Sequence, residues 1–99
     1  MNLKDIASLT AHNQVEYAMF TKGQERMVVR GNEFRVNIDE VGAAQMRAEG
    51  WKWSGHSHVE TDSISTMASH GDILILKAFG QKRSRIINSK GKSQYFEVH

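Results

Sequence analysis

Apolar residues recur with a helical period in some stretches of this chain and alternate in others, and the switches between the two mark its elements. Leu3, Ile6, Ala7, Leu9 and Thr10 fall at helical spacing and predict a short helix ending near His12–Asn13. In "VEYAMFTKGQERMVVRG" two β-rich runs flank Lys22-Gly23-Gln24, the pattern of a hairpin. Val15, Tyr17 and Met19 share one face of its first run, and Glu16, Ala18 and Phe20 the other. "EFRVNI" predicts a further short strand. "IDEVGAAQMRAEG" returns to helical spacing, with Asp39 or Asn37 as cap, Val41, Ala44 and Met46 as apolar positions, and Gly50 where a helix end takes left-handed geometry. "WKWSGHSH" reads as a strand on which Trp51 and Trp53 pack from one face. A loop rich in Ser, Thr and Asp runs from Val59 to Ala68. "SHGDILILKAFG" follows as a helix with Ser69 at its N-cap and Gly80 just past its end, and "SRIIN" and "SQYFEV" form a second hairpin around "SKGK".

Helices interleaved with strands predict an α/β fold, one small domain over residues 1–99 with a mixed β-sheet flanked by helices. A chain of 99 residues supports one core, and its apolar share of 39% is enough to fill it. The five methionines read as core filler. Cysteine is absent, so disulfides and thiolate ligands are excluded and any metal must be held by His, Asp or Glu. No apolar run approaches a membrane span, and "MNLKDIASLT" lacks the apolar stretch of a signal peptide, so the expectation is a cytoplasmic protein away from membranes. The formal charge is +2. Lys77, Lys82, Arg83 and Arg85 crowd together, which reads as a solvated face, with phosphate binding as the alternative.

Candidate chemistry gathers in "WSGHSHVETDSISTMASHGD". His56 and His58 stand two apart on a strand, so both rings project from one face and can converge on one cation. The plainer alternative is a pair of surface histidines. Ser-x-x-Asp at Ser69 and Asp72 is a capping-box variant, and it also fixes a carboxylate near the end of the preceding strand. Two imidazoles and one carboxylate leave a fourth position for water, the arrangement of a catalytic zinc site. Glu16 is an acidic residue within an apolar, β-like run, and so is either outward-facing or a base for that water. His70, Glu60 and Asp62 are nearby polar residues best read as solvated.

Glu on an early strand, His-x-His at a later strand end and Ser-x-x-Asp at a helix start together resemble the JAMM (MPN+, JAB) metalloprotease-like domain. More narrowly, "EYAMFTKGQERMVVRG", "WSGHSH" and "SHGDILILKAFGQKRSRIINSKG" are similar to small domains of that family from phage and bacterial polymorphic-toxin systems. The resemblance implies zinc held by His56, His58 and Asp72, Glu16 as general acid/base, and Ser69 stabilising the oxyanion. It also implies a peptide or protein substrate cleaved at an amide or isopeptide bond. Val59 stands where the family usually has proline, and the ten residues between His58 and Ser69 make a longer loop than is common there. Such a small domain leaves little room for substrate recognition, which points to a homo-oligomer or a protein partner. Two other functions fit the same residues. One is a non-catalytic interaction or assembly module. The other is a small RNase or toxin in which His56 and His58 serve as acid and base while the basic run holds phosphates.

Overall fold

The structure, a computed structural model, describes residues 2–31, 38–59 and 70–98. Helix α1 spans Leu3–Asn13, and a capping box starts it: Asn2 Oδ1 accepts from the Asp5 N–H, and the Asn2 N–H donates to Asp5 Oδ2. Strands β1 (Tyr17–Lys22) and β2 (Glu25–Arg30) form the first hairpin, turning at Gly23 in left-handed geometry. Helix α2 (Glu40–Ala48) is capped by Asp39, whose Oδ1 accepts from the Gly42 N–H at 2.7 Å. Strand β3 (Lys52–His58), helix α3 (His70–Ala78), and strands β4 (Arg83–Asn88) and β5 (Ser93–Glu97) complete the order. The strand expected at "EFRVNI" and the loop before α3 lie outside the described residues, apart from Ile38 and Val59.

The five strands form one mixed sheet in the order β2-β1-β3-β4-β5, antiparallel except for the parallel pair β3–β4. This is the small α/β domain expected from the sequence. Both faces of the sheet are covered. Leu3, Ile6 and Ala7 of α1 pack on Tyr17, Met19 and Ile87, while Ala43 of α2, Leu76 of α3 and Phe79 just past its end pack on Ala18, Phe20, Trp53, Ile86 and Phe96. The alternation read along β1 is thus the division between two cores. On α2 the buried position is Ala43, with Met46 half-buried, whereas Val41 is 75% exposed and Ala44 also faces solvent. Among the described residues no helix is long and apolar enough to cross a membrane.

One irregularity positions the site. Opposite β1, Met19 pairs with Gly55 but Phe20 pairs with Trp53, so Ser54 is an extra residue and β3 carries a bulge. In a regular strand Trp53 and His56 would point to opposite faces. The bulge puts both on the α2/α3 face, where their rings stack with centroids 4.9 Å apart. Side chains satisfy the backbone this disturbs: the Trp53 N–H donates to Gln81 Oε1 at 2.6 Å, and Trp53 O accepts from Gln81 Nε2 and Ser84 Oγ.

Candidate metal centre

The carboxyl end of β3 carries His56 and His58, and their neighbours hold it rigidly. Ser57, buried between them on the opposite face, shares a short hydrogen bond with Thr10 of α1, and its Oγ accepts from the Tyr17 N–H at 2.9 Å. The second bond ties the start of β1 to this part of β3, and Glu16 is the residue just before that start. Gly55 is required for a further reason. A Cβ there would lie 2.5 Å from Leu3 Cδ2 and 3.0 Å from the Arg85 carbonyl, so a larger residue would push Leu3 of α1 aside and crowd the neighbouring strand.

His56 is fully buried and His58 nearly so, which removes the alternative of two surface histidines. Their Nε2 atoms face each other at 3.1 Å. Asp72, in the first turn of α3, places Oδ2 3.1 Å from His56 Nε2 and 3.6 Å from His58 Nε2. Glu16 is buried rather than outward-facing, with Oε1 3.9 Å from His58 Nε2. Ligand atoms of Glu16, His56 and His58 all lie within 4.8 Å of one another, close enough to hold a metal ion. Separations of 3.1–3.6 Å among the two nitrogens and the Asp72 oxygen match the roughly 3.3 Å edge that bonds of about 2.0–2.1 Å make at tetrahedral angles.

Burial holds the His56 imidazole below its ordinary pKa, with a smaller push from neighbouring His58. The hydrogen bond and charge of Asp72 oppose the shift without overcoming it. The ring is therefore neutral near neutral pH, the form that binds metals. Its Nδ1 is buried with no hydrogen-bond partner among the described residues. Packing orients the ring instead: Trp53 stacks on it, and Phe96 meets it edge-on at 5.5 Å.

The fold thus brings together four of the five residues singled out in the sequence: Glu16, His56, His58 and Asp72. Ser69, the fifth, lies outside the described residues, as do Glu60 and Asp62. Glu16 stands one residue ahead of β1 rather than within it. Sequence reasoning missed Ser57, Gly55 and Gln81; small residues in a strand and a lone glutamine past a helix carry no signal until the strand order is known. Compared with family models, curated proteins and solved structures, the chain matches none of them.

Proposed function

We propose that the chain is a zinc-dependent peptidase or isopeptidase of the JAMM type, with His56, His58 and Asp72 as the metal ligands. The observation that carries this reading is the spacing of the donors: two imidazole nitrogens and one carboxylate oxygen sit one coordination edge apart, and a second carboxylate stands slightly farther out. Asp72 approaches both rings more closely than Glu16 approaches His58, which favours Asp72 as ligand and Glu16 as base. When bound, zinc lowers the pKa of a coordinated water toward neutrality and polarises the scissile carbonyl. Glu16 accepts a proton as the water oxygen bonds to the carbonyl carbon, then delivers it to the amide nitrogen as the C–N bond breaks. Its burial keeps that proton from bulk water. Ser69, in the role the family resemblance gives it, donates its hydroxyl to the oxyanion.

The fully buried His56 disfavours a metal-free RNase mechanism. Its Nε2 is 3.1 Å from that of His58, too close for the rings to flank a scissile phosphate as separate acid and base. The test is to load the purified chain with zinc, screen fluorogenic peptide amides and isopeptide-linked lysine substrates, and compare wild type with Glu16→Gln. The expected result is hydrolysis by wild type only, with one zinc in each protein. Zinc bound by both with no hydrolysis by either would point to an assembly module with a structural ion.

A further inference from the structure

We propose that the groove between α1 and the β4–β5 hairpin, on the sheet face opposite the metal centre, binds single-stranded nucleic acid. Arg83 and Arg85 alternate with residues of the α2/α3 core, so both face the α1 side, together with Tyr95, which pairs with Arg85 across the strands. Helix α1 does not cover this end of the sheet, and Tyr95 is 53% exposed. The Arg83 guanidinium lies 4.5 Å from the Tyr95 ring centre and that of Arg85 5.5 Å away. Arg85 Nη2 is fixed by a 2.6 Å hydrogen bond to Ser93 Oγ, while its buried Nε has no partner among the described residues. From Arg85 the surface dips into two adjoining hollows of about 270 and 400 Å³, both bordered by Lys4 of α1 and Gly91 of the turn. Lys90 lines the larger hollow.

Lys4, Lys90 and Arg85 therefore line one groove, and a fourth cation, Arg83, stands over the aromatic platform at its end. Among the described residues no carboxylate lies within ion-pair distance of any of the four; Asp5 of α1 is engaged in its capping box, and Glu97 stands across from Arg83 on the same face without pairing with it. Cations along a groove bind a phosphate backbone, and an exposed ring beside guanidinium planes gives an unpaired base a surface to stack on. A duplex offers no free base face, and an acidic peptide has no use for the ring, so the chemistry favours a single strand. The groove opens on the sheet face opposite His56 and Asp72, so the bound strand is not a substrate of the metal centre.

The test is fluorescence anisotropy with labelled oligo-dT and oligo-U of about 12 nucleotides, titrated from 50 to 200 mM salt. The expected result is binding that weakens with salt at a log–log slope near −3, from about 0.7 per cation contact, with the oligonucleotide recovered intact. Tyr95→Thr should weaken binding about tenfold or more at an unchanged slope. Lys4→Glu combined with Lys90→Glu, both exposed positions, should flatten the slope by about 1.4. Circular dichroism checks that each variant is folded; should Tyr95→Thr unfold, the lysine pair decides. No binding at 50 mM salt, an unchanged slope in the lysine variant, full affinity in folded Tyr95→Thr, or tighter binding of poly-glutamate would overturn the proposal.

Discussion

At His56 a single side chain couples folding to proton binding. The buried ring resists protonation, so below its ordinary pKa of about 6.5 the unfolded chain takes up a proton that the folded chain does not. That stability is therefore present above pH 6.5 and is lost as the pH falls toward the lower folded value, at up to about 1.4 kcal/mol per pH unit. Thermal melts of the metal-free chain at pH 7.5 and 5.5 should show the loss, and His56→Phe, whose ring suits the nest of Trp53 and Phe96, should reduce it; equal losses in both proteins would contradict the assignment. Glu16 makes a different demand. In the proposed hydrolysis Glu16→Gln would keep the shape but not carry the proton, and should lower turnover by roughly 10²–10⁴-fold while leaving zinc content unchanged. That His56 and His58 share a face was legible from their spacing. The burial of Glu16 was not, because an isolated acid in an apolar run fits either side of a strand.

Strand β3 and its braces show where element-level reading stops. The hairpin of β1 and β2, the cap of α2 and the division of β1 between two cores follow from local pattern, and the first hairpin and α2 appear where the sequence placed them. The bulge at Ser54 does not follow from pattern, because it depends on which strand lies alongside. Gln81 supports that bulge through both its amide atoms. Gln81→Ala leaves the Trp53 amide short of partners and should cost about 1–3 kcal/mol, with weaker zinc binding as His56 shifts; urea unfolding and a chelator competition measure the two effects. Gly55→Ala presses a methyl group against Leu3 and the Arg85 carbonyl and should cost about 1–3 kcal/mol through overpacking. A Gly55→Ala chain as stable as wild type would mean that α1 is not seated so closely on β3.

Across the whole molecule, the site residues come from separate segments that only the folded sheet brings together. Glu16 precedes β1, the histidines end the central strand, and Asp72 opens the helix between the parallel strands. A divalent ion held there would bind the native state alone. Zinc at about 100 times its dissociation constant should stabilise the chain by about 2.7 kcal/mol, raising the melting temperature by roughly 10–20 °C for a domain of this size. His58→Ala should abolish most of that rise. The α/β class was legible from the order of elements, whereas the approach of both Glu16 and Asp72 to His58 required the topology. The proposed site has the two imidazoles at the end of β3 and the Asp72 carboxylate of α3 holding one cation. X-ray absorption at the zinc edge, on the chain loaded with one equivalent and desalted, tests it most directly. One retained zinc per chain is expected, its shell showing two imidazoles at about 2.0–2.1 Å together with oxygen donors; zinc lost on desalting, or a shell without imidazole scattering, would rule this site out.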